Sequence, residues 1–184
     1  GGTCLKADFT PWENGKGQTH VFAILKDGSA RIWQPQSAFI SQADPATLRD
    51  VVCGRLSVIQ NGRVLTRTAE SLDPRTAVGI DETGHKAWLI VIDGRNDSVS
   101  NGASCFVTGK ILSVLGAYNA FNLDGGGSTT FVALNSSGVP VAANTPCNAY
   151  HAERAVANCI AICPKEVSTG AGVEHLSARE NQAW

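Results

Sequence analysis

The sequence predicts a single compact domain built mainly of β-strands, with one clear helix in its second half. Turn signals recur about every ten residues between short β-rich runs, which is the spacing of a strand-dominated fold. Neither an internal repeat nor a low-complexity linker divides the chain. Its 184 residues are enough for one hydrophobic core and too few for two comfortable ones.

Two hairpins are expected in the first third of the chain. Asp27-Gly28 lies between β-rich runs at 21–26 and 30–33, and Asn61-Gly62 lies between runs at 56–60 and 64–67. Both dipeptides tolerate the positive φ angles that a two-residue hairpin turn requires. The two pairs of runs are therefore predicted to be antiparallel.

The remaining elements follow from apolar spacing. Residues 76–81 and 86–93 bracket a turn, and the unbroken apolar run at 87–92 predicts a strand in the interior of a sheet. Three-to-four spacing over 104–115, closed by Gly116, predicts a helix. Strands are expected at 119–123, 129–134 and 155–162. We assign 1–164 to the domain and 165–184 to a poorly ordered tail or short terminal helix.

The charge balance limits the partners. Fifteen Lys and Arg stand against sixteen Asp and Glu, so no overall field would attract nucleic acid or an acidic membrane surface. The longest apolar runs are well short of the ~18 residues that a membrane span needs. A small molecule or a glycan is therefore the expected partner, and the sequence leaves the oligomeric state open.

The cysteines and two acceptor sequons indicate a secreted or lumenal glycoprotein with disulfides. Six cysteines form an even set without metal-binding spacing, and they allow ~15 disulfide pairings. The alternative is that some are buried thiols. The sequons begin at Asn96 and Asn135. The cysteines are Cys4, Cys53, Cys105, Cys147, Cys159 and Cys163.

The most informative stretch is a glycine-rich turn at the end of the predicted strand 119–123. Asp124 is followed by Gly125, Gly126 and Gly127, which would let backbone N–H groups approach an anion closely. Ser128 and Thr129 add hydroxyl donors. The alternative is an ordinary glycine-rich loop in which Asp124 caps its own backbone.

Two other strand ends carry matching chemistry. Arg75 opens the strand at 76–81, and Asp93 and Arg95 follow the apolar run. Each arginine could bind two phosphate oxygens at once through its guanidinium group. Asp93 and Asp124 are the candidate catalytic acids, one protonating the leaving oxygen and the other serving as base or nucleophile. Alternatively, Asp93 and Arg95 are turn residues and Arg75 belongs to a surface ion pair.

A third polar segment precedes the predicted strand at 155–162. Of its charged residues, Arg154 is the one expected to face a ligand, while the neighbouring Glu153 would point to the opposite side of an extended chain. His151 could act as an acid or base, although a single His in this setting is more often a surface residue.

Taken together, these segments resemble the phosphodiester glycosidase family. The matching motifs are Pro74-Arg75-Thr76-Ala77-Val78-Gly79, Asp93-Gly94 before a helix, the 119–128 run ending in the glycine turn, and the segment around Arg154. The resemblance implies an α+β fold in which a strongly twisted, mainly antiparallel sheet wraps around one or two helices. At the amino terminus the family's Asn-Gly-Gly-Phe-Phe-like element is replaced by residues 5–9, with Lys6 at the position of the Asn.

The resemblance also implies hydrolysis of the glycosidic bond of a sugar-1-phosphodiester. Asp93 and Asp124 would be the catalytic pair. Phosphate and sugar would be held by the substrate-binding residues Arg75, Arg95, Gly125, Gly126, Gly127, Ser128, Thr129 and Arg154. This scheme requires no metal and no organic cofactor. Two alternatives are a non-catalytic glycan or cell-wall polymer binding module and a hydrolase using Ser128, although the latter lacks the Gly-x-Ser-x-Gly elbow.

Overall fold

The computed structural model describes residues 19–34, 38, 41–65, 71–156 and 159–163. The predictions for residues 5–9 and 165–184 lie outside these ranges. The described strands are β1 (Thr19–Leu25), β2 (Ala30–Trp33), β3 (Leu48–Gln60), β4 (Arg63–Val64), β5 (Arg75–Ile80), β6 (Ala87–Ile92), β7 (Asn119–Asn122), β8 (Val132–Leu134) and β9 (Pro140–Ala142). The helix α1 spans Cys105–Leu115, and 3-10 turns span Pro45–Thr47, Gly126–Ser128 and Ala149–His151.

The described strands form one large antiparallel sheet and a separate hairpin. The order in the large sheet is β2-β1-β3-β7-β5-β6, with β4 paired to β3, and every pair is antiparallel. Strands β8 and β9 form the second sheet. The predicted single α+β domain with a mainly antiparallel sheet is confirmed.

Both predicted hairpins are present because their turn residues adopt left-handed conformations. Gly28 has φ +89° between β1 and β2, while Asn61 and Gly62 have φ +49° and +75° between β3 and β4. The second hairpin is shorter than expected, since β4 ends at Val64. Two positive φ angles in a row match the type I′ turn that suits twisted antiparallel strands.

Helix α1 begins and ends where the sequence predicts. Ser104 caps its first turn by accepting from the Val107 amide at 3.1 Å, and Gly116 ends it with φ +102°. On the sheet side, a Cβ added to Gly109 would lie 2.7 Å from the Val58 carbonyl oxygen, so the helix approaches β3 as closely as a glycine permits.

The central strand β7 places apolar side chains on both faces of the sheet. Ala120 packs in a cluster with Leu112 of α1, whereas Phe121 packs with Phe22 and Val78 in a second cluster. Successive strand residues point to opposite faces. The core is therefore divided by the sheet, with the helix covering one side.

Two strand predictions are wrong. Residues 87–92 do form a strand, but within the described residues β6 pairs only with β5 and ends the strand order, and Ala87 and Leu89 are exposed. The apolar run at 87–92 therefore predicted a strand correctly but not its position in the sheet. Residues 152–156 and 159–163 lie outside any regular element, so the strand expected at 155–162 is absent from the described parts of that range.

The described cysteines carry free thiols. Cys105 is buried, Cys53 and Cys147 are half-buried, and Cys159 and Cys163 are exposed. The expected disulfides are thus not present among these five residues. None of the helices in the described residues is long and apolar enough to cross a membrane.

Candidate active site

The candidate residues gather at one end of the large sheet because of its register. Arg75, at the start of β5, is paired with Ile92, at the end of β6, and Ala77 is paired with Asn122, at the end of β7. The start of β5 and the ends of its two antiparallel neighbours therefore share one edge. Asp93 and the glycine turn both leave the sheet there.

The glycine turn is a tight 3-10 turn whose amides are largely engaged within the protein. The Gly126 amide donates to the Pro74 carbonyl at 2.9 Å, and the Ser128 and Thr129 amides donate to Gly125 and Gly126 at 3.1 Å. These three N–H groups have carbonyl partners in this structure. Neighbouring side chains are therefore a second source of donors for an anion at this edge.

Two guanidinium groups flank the turn. A Cβ on Gly126, which has φ +59°, would lie 3.3 Å from Nη1 of Arg95, and a Cβ on Gly127 would lie 3.4 Å from Nη1 of Arg154. Arg154 also donates from Nη2 to the Ser128 hydroxyl. Glycine at 126 thus makes room for the Arg95 guanidinium, whereas glycine at 127 makes room mainly for Oδ1 of Asn148, with Arg154 at ordinary contact distance.

Arg95 is held by Asp73, an acid that no sequence motif indicated. Its Nε and Nη2 donate to Oδ1 of Asp73 at 3.1 and 2.8 Å. The Ser71 hydroxyl and then Arg95 lower the pKa of Asp73, and the Asp73 contact raises the pKa of Arg95. Asp73 directly precedes the Pro74-Arg75 motif, but sequence position gave no sign that it reaches Arg95, which is 22 residues away.

Arg75 occupies a different environment from the one predicted. It is 8 % exposed, and its Nε and Nη2 donate at 2.8 Å to the carbonyl oxygens of Ala103 and Ser71. Its Nη2 also lies 3.5 Å from Oδ2 of Asp73. In this structure the Arg75 guanidinium is buried and binds protein groups, and its contact with phosphate stays a prediction.

Asp93 is anchored by the segment that follows β9. Its Oδ1 accepts from Nδ2 of Asn144 at 2.9 Å, and its two oxygens accept from the Thr145 amide at 3.1 and 3.0 Å. These donors fix the orientation of the Asp93 carboxyl group. No sequence motif indicated a role for Asn144, because its partner lies 51 residues away.

Asp124 is the more accessible of the two predicted acids. Its side chain is 79 % exposed, and its Oδ2 lies 3.7 Å from Nη2 of Arg154. The same Arg154 group contacts Ser128, so Asp124, Ser128 and Arg154 form one polar cluster on the rim of the turn. A substrate could reach all three from solvent.

Thr129 faces the protein interior, and its contact with a ligand stays a prediction. It is 1 % exposed, and its hydroxyl lies 3.2 Å from the hydroxyl of Thr76 on β5. Its carbonyl accepts from Asn144 at 3.3 Å. Thr129 therefore supports the turn from beneath.

A loop around residue 148 covers the other side of the turn. Nδ2 of Asn148 donates to the carbonyls of Gly127 at 2.8 Å and Ala152 at 3.0 Å. Tyr150 and His151 both have positive φ, which is rare for residues with large side chains. Nδ1 of His151 lies 3.0 Å from the Pro146 carbonyl, so its ring is tied to the loop.

The described residues contain no cluster of three or more His, Cys, Asp or Glu side chains that could hold a metal ion. This end of the sheet carries two arginines beside a glycine turn and two carboxylates in different settings. This combination can bind an anionic group and supply acid and base chemistry next to it.

Comparison with known proteins agrees with this chemistry. The family model for phosphodiester glycosidases matches residues 2–163, and the chain belongs to that family. Among solved structures it is similar to the catalytic domain of zebrafish N-acetylglucosamine-1-phosphodiester α-N-acetylglucosaminidase, auto-inhibited by its pro-peptide. The identity is 25 % and the TM-score 0.60, over 76 % of this chain and 50 % of that one. The chain thus spans half the length of that structure.

A second solved structure, a hypothetical protein from Synechocystis, aligns with 19 % identity and a TM-score of 0.33 over 61 % of this chain and 29 % of that one. No curated protein matches the sequence.

Proposed function

We propose that this chain hydrolyses the glycosidic bond of a sugar-1-phosphodiester. Membership of the phosphodiester glycosidase family supports the reaction class. The observation that carries the proposal is the pair of guanidinium groups on Arg95 and Arg154, which lie beside Gly126 and Gly127. A phosphodiester is an anion, and paired arginines are the side chains best suited to its oxygens.

The two acids have different settings, which supports different roles. Asp93 is half-buried and accepts hydrogen bonds from Asn144 and Thr145, so it is oriented as the base or nucleophile. Asp124 is exposed and close to Arg154, so it can approach the leaving oxygen next to the phosphate. A retaining reaction corresponds to carboxyl groups ~5 Å apart and an inverting one to a separation nearer ~8 Å.

The test is a hydrolysis screen with three substrates side by side. They are α-N-acetylglucosamine 1-(methyl phosphate), a plain aryl α-glycoside and an aryl phosphodiester. Efficient cleavage of the first alone supports the proposal, because only that substrate offers both an anomeric centre and a phosphate. Turnover of the aryl phosphodiester alone would overturn it in favour of a phosphodiesterase.

Conservative variants assign the acids. Asp93→Asn and Asp124→Asn keep side-chain size and remove the ionisable group, so each is expected to lower kcat by about 100-fold or more. Asp81→Asn is the matched control, since Asp81 also accepts loop hydrogen bonds but lies at the opposite end of β5. Full activity of Asp124→Asn would remove Asp124 from the mechanism.

Binding without turnover would identify the alternative, a non-catalytic glycan or cell-wall polymer module. Calorimetry with the methyl phosphate substrate separates the two, because the module would bind it and release no sugar. Tight binding with no hydrolysis by the unaltered chain would replace the enzymatic proposal.

We also propose a secreted or lumenal setting with N-glycosylation. Asn135 is exposed in the turn between β8 and β9, where its Oδ1 accepts from the Ser137 and Val139 amides. An exposed turn is the usual setting of an acceptor sequon. Expression through a secretory host followed by peptide mass spectrometry tests this; an unmodified Asn135 in the secreted chain would count against it.

A further inference from the structure

A chain of three charged residues runs from the protein interior to the glycine turn. Buried Arg75 contacts Oδ2 of Asp73, and Oδ1 of the same carboxylate accepts from Arg95, whose guanidinium lies against Gly126. The Ser71 hydroxyl donates to Oδ2 as well. Both oxygens of the Asp73 carboxylate are therefore bound: Oδ2 contacts buried Arg75, and Oδ1 contacts the more exposed Arg95.

Arg95 needs such support. Its side chain is 55 % exposed, and its backbone has φ +53°, a left-handed conformation that residues other than glycine rarely adopt. A long exposed side chain normally samples many rotamers. Here Asp73 occupies the Nε and Nη2 edge, and the guanidinium lies against Gly126, with Nη1, Nη2 and Cζ 3.3, 3.5 and 3.6 Å from where a Cβ of residue 126 would be. Cys147 is a further side-chain partner of Arg95.

We infer that Asp73 is a positioning residue that fixes Arg95 against the glycine turn as part of the phosphate-binding surface, with Arg75 as its buried anchor. This inference rests on the proposed function, because it assigns the phosphate to Arg95. It gives Arg75 an indirect role in place of a ligand contact. Asp73 itself touches no substrate.

Removing the Asp73 charge has two opposed effects on an anionic substrate. It frees Arg95 to leave the turn, which weakens binding, and it removes a repulsive charge, which strengthens binding. The repulsion acts over a longer distance through solvent and is screened by salt, with a Debye length of ~6 Å near 0.3 M. At that salt concentration the loss of positioning should dominate.

The experiment is a double-mutant cycle with Asp73→Asn and Arg95→Gln at ~0.3 M NaCl, using α-N-acetylglucosamine 1-(methyl phosphate). Asp73→Asn should raise KM about five- to tenfold with little change in kcat, as expected for lost uniform binding. In the Arg95→Gln background the same change should have no further effect. Asp81→Asn serves as the Asp-to-Asn control and should keep the unaltered KM.

An unchanged or lower KM for Asp73→Asn would overturn the inference, as would the same rise in KM in the Arg95→Gln background. If the unaltered chain does not cleave this substrate, it is the proposed function that fails. Nuclear magnetic resonance then tests the contact separately. The Arg95 Nε–H should give a slowly exchanging signal in the unaltered chain that shifts on addition of methyl phosphate.

That spectrum also covers the case in which Asp73→Asn fails to fold, because it needs no Asp73 variant. The signal is assigned by its loss in Arg95→Lys. A rapidly exchanging Arg95 Nε–H would overturn the positioning role. A slowly exchanging one that methyl phosphate leaves unshifted would overturn the part of the inference that assigns the phosphate to Arg95.

Discussion

Asn144 donates a hydrogen bond from its side-chain Nδ2 to Oδ1 of Asp93 at 2.9 Å. The same amide group donates to the Thr129 carbonyl at 3.3 Å, and its Oδ1 accepts from the Phe131 amide at 2.7 Å. One carboxamide thus connects the end of β6, the glycine turn and the residue before β8. The orientation of a predicted catalytic acid therefore depends on a residue that would not react.

We expect Asn144→Ala to lower kcat for the phosphodiester by about 10- to 100-fold. The physical reason is the loss of a hydrogen bond to a charged group, which contributes about 1.5–3 kcal/mol. Steady-state kinetics on purified protein gives the measurement. The midpoint temperature of thermal unfolding should also fall, because the Phe131 amide and the Thr129 carbonyl lose their hydrogen-bond partner.

Asn135→Ala is the matched control. Asn135 also accepts two backbone amides in a loop, at the tip of the β8–β9 hairpin, but makes no contact with Asp93. Its kcat should stay within about twofold of the unaltered chain, since surface changes of this kind have small effects. Equal kcat values for the two variants would show that Asp93 does not depend on Asn144.

Gly126→Ala should disturb both stability and phosphate binding. The residue has φ +59°, and the left-handed conformation costs a non-glycine residue about 1–2 kcal/mol. The new methyl group would also lie 3.3 Å from Arg95 Nη1, which would push the guanidinium away from the turn. Denaturant unfolding and KM for the phosphodiester measure the two effects.

Gly138→Ala separates backbone strain from the Arg95 contact. Gly138 has φ +76°, but no atom of the described residues lies within 4 Å of a Cβ placed there. It should show the same order of destabilisation without a rise in KM. If both variants raise KM equally, the effect comes from general destabilisation and the Arg95 contact is unimportant.

The local part of the fold could be predicted from sequence because its causes are local. The Asn61-Gly62 turn, the Ser104 cap and the Gly116 terminus each depend on neighbouring residues. The position of β6 in the sheet could not be predicted in this way. Its apolar run predicts the strand, but whether a second strand pairs on its other side is decided by distant segments.

The candidate site shows the same division. Sequence motifs predicted both acids and the glycine turn, because glycine and charge at a strand end are visible in the chain itself. They did not distinguish Arg75 from Arg95, since burial is a tertiary property: the first is buried and the second is not. Asp73 and Asn144 were missed because their partners lie 22 and 51 residues away.

Asp73 should make the fold more sensitive to acid. Its pKa is lowered below the ordinary value of 3.8, first by the Ser71 hydroxyl and then by Arg95. A lowered pKa in the folded state means that the stabilisation is fully present above pH 3.8 and is lost as the pH falls through the lower, folded-state value. Urea unfolding of the unaltered chain from pH 6 downward should therefore show a steep loss below that point.

In Asp73→Asn the loss of stability that comes from protonating Asp73 should be absent, because the Asn side chain does not titrate. The variant is expected to be less stable than the unaltered chain at pH 6, and the difference should narrow at acid pH. Asp81→Ala, made in the unaltered chain and in Asp73→Asn, is the control for other titrating groups. The pKa of Asp81 is also lowered, by the Thr83 hydroxyl and the Lys86 amide. A stability difference that is constant from pH 6 into acid would contradict the assignment.

The thiols should differ in reactivity according to their burial. Burial raises the pKa of Cys53, so less of its reactive thiolate is present near neutral pH. Cys159 and Cys163 are exposed. In reduced protein at about pH 8, alkylation of Cys159 and Cys163 should be at least about tenfold faster than that of Cys53. A time course with iodoacetamide and peptide mass spectrometry gives the rate of each site.

Denaturant supplies the control for this comparison. In urea the desolvation of Cys53 disappears, so the three rates should converge if burial is the cause of the difference. Cys53 reacting as fast as Cys159 in the folded protein would contradict its burial. The same peptides, taken from protein that was never reduced, test the disulfides expected from the even cysteine count. A cross-linked pair that includes Cys159 or Cys163 would support that expectation, and full alkylation of both would contradict it.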